Sequence, residues 1–299
     1  WLANGEYQIS NLIDIGLYMD QYLIYEFNDW WSDFYSVYFW LGPSIKIKAT
    51  LLGTGASQGV PVVACDCDVC TSTNPKDKRL RSSLLLTIND KNFVIDAGPD
   101  FRQQLLREKV KTLRAILLTH EHVDHIFGLD DIRSYNWVQK NHMEIYAEER
   151  VQKAIKRIFN YVFASFKYPG IPQMELRKVN DVPFAIDGVE FVPIRCWHHK
   201  LPVYGYRVGD LTYITDTNFI EDSELAKMEG TKILIINCLR KEKHLSHFNL
   251  AEVLEIVDRI KPEQTYLTHI SHALGKYDDV MKELPENVFL AYDGLKLEL

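Results

Sequence analysis

Residues 113–125, LRAILLTHEHVDH, contain the junction that decides the fold. The first part is almost continuously apolar, as a strand buried on both faces of a parallel sheet must be. His120, His122, Asp124 and His125 therefore emerge at the carboxyl end of a strand, where open α/β sheets carry their ligand-binding loops. On an extended segment His120 and His122 point the same way, while Asp124 and His125 begin a turn or helix and can face a second ion. Three imidazoles and a carboxylate within six residues crowd a single ion. Imidazole with carboxylate suits zinc, and also manganese, iron or nickel.

Working outward, the same arrangement recurs. Apolar runs at 211–215 and 264–268 end at Asp216 and His269, and a third run covers 232–237. With His198 or His199, these residues complete a two-metal set. Upstream, residues 45–52 alternate up to the turn Gly53-Thr54-Gly55. Strands follow at 83–88 and 92–96, split by Asn89 and Asp90. Helical periodicity covers 148–162 and 250–260, the second with Asn249 as N-cap and Pro262 as stop. Strands mixed with helices at this spacing predict α/β layers.

Composition narrows the classes. A chain of 299 residues makes one large α/β domain or two small ones. The net charge of −7 excludes a global basic field for nucleic acid. At 46% hydrophobic and 25% charged residues the balance is that of a globular protein. No apolar run of about 18 residues offers a membrane span. The first 44 residues differ from the rest. They hold six of the acidic residues, four of the six tryptophans and no Lys or Arg, so residues 45–299 carry only −1. The division expected is an aromatic, acidic extension at 1–44 and a single larger domain at 45–299. Two readings of the extension stand side by side: a helical or interface segment packing through its aromatics, or a stretch foreign to the domain. It lacks the basic start and short apolar core of a secretory signal.

Cys65, Cys67 and Cys70 place three thiols within six residues. A closed structural zinc site takes four ligands, and His272 in THISH (268–272) is the candidate fourth. Redox-active or simply reduced thiols are the alternative. Cys196 and Cys238 stand alone and read as ordinary buried thiols.

HEHVDH, Asp96-Ala97-Gly98 before it, and the later His198, Asp216 and His269 resemble the metallo-β-lactamase superfamily over roughly residues 45–299. The resemblance implies a four-layer αββα sandwich with a dinuclear site along one edge. His120, His122 and His198 would hold one ion, Asp124, His125 and His269 the other, and Asp216 would bridge them. His198 is preferred to His199 because HHKL (198–201) is similar to the family's HSKL. GTGASQGVP (53–61), CxCxxC, Arg79 and Arg81, the histidine motif and HISH together resemble one subgroup. These are the phosphoribosyl cyclic phosphate phosphodiesterases of the carbon–phosphorus lyase pathway and their relatives. That similarity implies a structural zinc on Cys65, Cys67, Cys70 and His272, pinning the loop after the first strand to the loop that offers His269.

The chemistry implied is hydrolysis of a small cyclic or nucleotide-like phosphate diester. Two divalent ions, zinc or manganese, would activate a hydroxide and neutralise phosphate oxygens. Asp124 is expected to serve catalysis as well as ligation. His247, in HLSHFN (244–249), matches a family histidine that donates the leaving-group proton or holds phosphate. Arg133 is expected to meet a substrate phosphate, with a helix-surface role as its alternative. Asp96 is expected to orient the metal loops. The resemblance also allows a homodimer, and reduced thiols fit the cytoplasm.

Other members of the superfamily fit less well. Redox members carry Glu where His122 stands. β-Lactamases usually lack the bridging Asp216. A tRNA 3′-processing nuclease shares the ligand set and needs a basic arm to grip phosphates. The stretch 166–183, with Lys167, Arg177 and Lys178, is short and mildly basic. A non-catalytic carrier or accessory protein of cofactor biosynthesis has a similar cysteine cluster and departs from the full ligand set.

Overall fold

The structure, a computed structural model, describes residues 22–25, 37–40 and 46–299 except Lys167. The contacts divide the chain into Trp1–Ile45 and Lys46–Leu299. In the first unit two strands are described, β1 (Tyr22–Tyr25) and β2 (Val37–Trp40), paired antiparallel. Their Tyr, Ile, Val, Phe and Trp content favours strand over the helix entertained for this segment. The remaining tryptophans and all six acidic residues of the extension lie outside the described residues.

The second unit is built on two sheets. Its strands are β3 (Ile47–Gly53), β4 (Ser83–Ile88), β5 (Lys91–Ile95), β6 (Ala115–Leu117), β7 (Met143–Ala147), β8 (Met174–Lys178), β9 (Phe184–Ile186), β10 (Val189–His198), β11 (Leu201–Val208), β12 (Leu211–Ile214), β13 (Phe219–Ile220), β14 (Ile233–Asn237), β15 (Gln264–Thr268), β16 (Val288–Leu290) and β17 (Lys296–Glu298). The helices are α1 (Phe101–Arg107), α2 (Val123–Ile126), α3 (Arg133–Gln139), α4 (Glu149–Ile158), α5 (Asn160–Phe163), α6 (Asp222–Leu225), α7 (Leu250–Ile260) and α8 (Tyr277–Val280). One sheet runs β17-β3-β4-β5-β6-β7-β8. The other runs β13-β10-β11-β12-β14-β15-β16, with β9 added to β10.

Alternation along the strands sorts side chains into three apolar layers. Leu84, Leu86 and Ile88 of β4 and Phe93 and Ile95 of β5 meet Phe191, Tyr204, Tyr206 and Tyr213 of the other sheet in a central core. The opposite faces carry Leu85, Val94 and Ile116 under α1 and α4, and Ile214, Leu234 and Ile236 under α6, α7 and α8. Helix, sheet, sheet and helix thus form the four-layer αββα sandwich.

β5 to β8 run parallel, as do β12, β14, β15 and β16. The residues after β5, β6, β12 and β15 are Asp96, the histidine motif, Asp216 and His269, and they gather at one edge. The helix expected over 148–162 breaks at Phe159, whose φ of −102° and ψ of 43° end α4 before the short α5. The long β10–β11 hairpin has no counterpart in the sequence reading, because Pro193 and Pro202 interrupt its strand pattern.

Candidate metal centre

Asp216, Asp96 and His269 each adopt left-handed backbone angles, with φ of 50°, 65° and 51°. For residues other than glycine this costs about 1–3 kcal/mol and persists only where the surroundings impose it. The surroundings are explicit for Asp216. Asn237, at the end of β14, accepts from the Thr217 amide at 3.0 Å and donates to the Thr217 carbonyl at 2.9 Å. The turn carrying Asp216 is clamped by its neighbour strand.

Four imidazoles have their Nδ1 atoms committed elsewhere, which leaves Nε2 as the free atom. His125 Nδ1 donates to Asp96 Oδ2 at 2.7 Å, and His198 Nδ1 donates to the Ser246 carbonyl at 2.7 Å. The Thr119 hydroxyl donates to Asp96 at 2.9 Å, so its oxygen accepts from His120 Nδ1 at 3.0 Å. The Ser82 hydroxyl donates to the Gly55 carbonyl at 3.0 Å, and its oxygen takes His269 Nδ1 at 3.3 Å. These tautomers follow from the bonding network. Such outer hydrogen bonds fix the ring orientation of metal-binding histidines.

The free nitrogens converge on Asp216. His269 Nε2 lies 2.7 Å from Asp216 Oδ1, and His120 Nε2 lies 3.7 Å from Oδ2. His125 Nε2 touches Asp216 Oδ2 and stands 3.2 Å from Asp124 Oδ2. His122 turns Nδ1 towards His120 Nε2 at 2.9 Å. Its ring centre lies 5.2 Å from that of His198. His247 packs between His198 and His269, with ring centres 4.6 and 4.9 Å away, and places Nδ1 3.4 Å from Asp216 Oδ1.

The approaches to Asp216 lack hydrogen-bond geometry. Both Asp216 oxygens, His125 Nε2 and His247 Nδ1 are buried without a hydrogen-bond partner among the described residues. A buried carboxylate without donors is costly, and cations between these atoms would satisfy it. His120, His125 and Asp216 form one group with metal-binding spacing, and Asp216, His247 and His269 form another. Imidazole nitrogen with carboxylate oxygen fits zinc or manganese.

The electrostatics are correspondingly lopsided. Burial opposes charge on His125, but Asp216, Asp96 and Asp124 outweigh it and raise this imidazole well above its ordinary range. Burial, reinforced by repulsion from His125, holds His120 well below it. Burial would raise Asp216, yet His269 and His125 hold it well below the usual carboxylate range. Burial, with neighbouring imidazoles, pushes His247 down to about 3, so its ring is a neutral hydrogen-bonding group there.

His198 and His199 have different surroundings. His199 is exposed in the β10–β11 turn, and its amide bonds Asn218. Arg133 is not brought to the cluster in any described contact. It heads α3, half-exposed, and its guanidinium pairs with Asp130. Arg79 is buried and donates to Thr54 and to the Ala291 carbonyl, while Arg81 pairs with Asp100. Thr119, Ser82, Ser246 and Asn237 escape the sequence reading. Of these, Asn237 carried a signal, a polar residue closing an apolar strand beside the Asp216 turn.

Glycine permits the closest backbone approach at the edge. A Cβ on Gly98 would sit 2.0 Å from the Asp124 carbonyl oxygen, and one on Gly128 would sit 2.1 Å from that of Gly98. The α2 segment can therefore press directly on the turn after Asp96.

The three cysteines surround one imidazole nitrogen. Sγ of Cys65, Cys67 and Cys70 lie 3.3, 3.4 and 3.5 Å from His272 Nδ1. Tetrahedral zinc with its usual bond lengths sets such neighbours roughly 3.6 Å apart, so the donor set fits that ion. Ala56 and Ile270 exchange backbone hydrogen bonds with the opposite loop, at 3.1 and 2.9 Å, joining the segments that carry Cys65 and His269. Cys196 and Cys238 are buried.

Comparison with known proteins agrees with this architecture. The profile described as "Beta-lactamase superfamily domain" matches residues 91–270. An octanoyltransferase of Porphyromonas gingivalis is 38% identical over 253 residues, covering 84% of this chain and 51% of that protein. A ribonuclease Z of Prochlorococcus marinus is 28% identical over 193 residues, covering 60% of this chain and 55% of that protein. The chain thus spans about half the length of these curated relatives. The crystal structure of a diphosphatase from the PhnP family superposes with a TM-score of 0.80 at 38% identity, covering 85% of this chain and 97% of that one. The chain belongs to the metallo-β-lactamase superfamily, with a PhnP-like subgroup as its place within it. The superfamily includes hydrolases, and divalent metal binding goes with the fold. No helix among the described residues is long and apolar enough to cross a membrane.

Proposed function

We propose that the chain is a metal-dependent phosphodiesterase acting on a small cyclic or nucleotide-like phosphate diester, such as phosphoribosyl 1,2-cyclic phosphate. The observation that carries this reading is Asp216, whose two buried oxygens lack hydrogen-bond donors while His120, His125, His247 and His269 surround them. His120, His122 and His198 would hold one divalent ion and Asp124, His125 and His269 a second, with Asp216 shared. Such a pair lowers the pKa of water and neutralises non-bridging phosphate oxygens. Cys65, Cys67, Cys70 and His272 would hold a structural zinc.

The protein's own groups supply the rest. Asp96 fixes the His125 ring and, through Thr119, the His120 ring. Asp124 places Oδ2 3.2 Å from His125 Nε2 and would serve catalysis from there as well as ligation. His247 is assigned to phosphate, donating an N–H to a substrate oxygen from its place between His198 and His269. Arg133 keeps its own pairing with Asp130 and is assigned no substrate contact.

A small substrate is preferred to tRNA. Within the stretch 166–183, Arg177 is paired with Glu144 and Glu175, and Lys178 with Glu149. Lys167 lies outside the described residues. The octanoyl-transfer name belongs to a protein half of whose length has no match here. Five free thiols fit a reducing, cytoplasmic setting.

The test is turnover of bis(p-nitrophenyl) phosphate and a panel of cyclic phosphates by zinc- or manganese-loaded protein. Hydrolysis that falls to background in Asp216→Ala is the expected result. No turnover of any diester by the wild type overturns the reading.

A further inference from the structure

Building on the two-ion reading above, we infer that Arg150 is a positioning residue for the His120, His122 and His198 half of the site. Glu121 stands between two of these histidines, and on an extended segment its side chain faces away from theirs. There it meets Arg150, the second residue of α4, whose Nη1 pairs with Glu121 Oε1. Nη2 of the same guanidinium donates to the Pro202 carbonyl at 2.5 Å. Pro202 faces Trp197 across the β10–β11 pairing, one step from the His198–Leu201 pair that closes the hairpin. One planar group therefore ties the loop carrying two imidazoles on the first sheet to the hairpin ending in the third imidazole on the second. A rigid guanidinium fork can bridge two acceptors in fixed directions, which a lysine ammonium does less well.

Arg150 is itself held in place. Glu148 lies 3.6 Å from it and grips Arg195 at 2.9 Å. Arg195, in turn, lies 3.9 Å over the Tyr204 ring. Two other cross-sheet contacts stop short of His120: Tyr206 donates to the Leu118 carbonyl at 2.8 Å, and the Tyr204 amide to the Thr119 carbonyl at 3.1 Å. The Arg150 link lies beyond them, inside the motif. The other half of the site is supported without Arg150, by Asp96 on His125, Ser82 on His269 and the Gly98 backbone against Asp124. Loss of Arg150 therefore acts on one ion and spares its neighbour.

The test is metal titration of chelator-stripped full-length protein with zinc, read by bound stoichiometry and affinity, alongside kcat, KM and thermal midpoint. Arg150→Met is expected to weaken one ion of the pair about 10–100-fold, the range for outer hydrogen-bond partners of metal ligands. The second ion and the cysteine-bound ion stay at wild-type affinity. Excess zinc restores kcat, KM is little changed, and Arg150→Lys recovers part of the loss. Glu121→Ala, which cuts the link from its other end, carries the same expectation if Arg150→Met fails to fold. Wild-type affinity for both ions, or equal weakening of both, overturns the inference. Absence of diester turnover in the wild type would sink the proposed reaction and leave this titration to be read by itself.

Discussion

Asp96 accepts from the Thr119 amide, the Thr119 hydroxyl and His125 Nδ1, all within 3 Å and fully buried. Burial raises its pKa, and His125 only partly offsets this. Asp96→Asn turns one acceptor into a donor facing hydrogens. Metal affinity is predicted to fall about 10–100-fold, checked by zinc titration, and an unchanged affinity would remove Asp96 from the orienting role. The close approach at Gly98 gives a sharper steric case. Gly98→Ala must displace the Asp124 segment, because its Cβ would lie 2.0 Å from a backbone oxygen that no side-chain rotation can move. Diester hydrolysis is expected to collapse with the secondary structure retained by circular dichroism; full activity would contradict the packing described. For His247 the informative pair is Gln and Ala. If the residue holds phosphate by donation, Gln retains more kcat/KM than Ala. Equal losses in the two would point to proton delivery instead.

At the scale of elements, the strand ends set the site and the loops finish it. The run before His120, and those before Asp216 and His269, announced strands whose carboxyl ends meet, because burial on both faces demands continuous apolar residues. What stayed hidden depends on contacts that sequence order does not record. Ser246 orients the His198 ring through a backbone carbonyl 48 residues away, while His199 stays exposed. Arg133 looked available in the sequence, yet Asp130, three residues before it, takes its guanidinium. Helix α7 was readable at both ends. Asn249 and Glu252 form a reciprocal capping box, each side chain accepting from the other's backbone amide. Asn249→Ala is predicted to cost about 1 kcal/mol, visible as a lowered thermal midpoint; no change would mean the box adds nothing. The cysteine loop makes a different prediction. Cys67→Ser should lose one bound ion and thermal stability while keeping much of the hydrolysis at temperatures below its new midpoint. Full metal content in that variant would contradict the structural-zinc assignment.

For the whole molecule, two parallel-strand sets from opposite sheets bring their carboxyl ends to one edge, so neither sheet alone carries the whole of the proposed ligand set. His120, His122, Asp124 and His125 come from one sheet, and His198, Asp216 and His269 from the other. That division explains why the candidate ligands are scattered across about half the sequence, and it is the ground on which the Arg150 to Pro202 contact is proposed to bear on metal binding. The central claim is that these side chains share a pair of cations around Asp216. The most direct measurement is anomalous scattering from crystals of the zinc-loaded protein. Three peaks are predicted per chain, one among the cysteines and two about 3.5–4 Å apart on either side of the Asp216 carboxylate. A single peak beside Asp216, or none, would contradict the account.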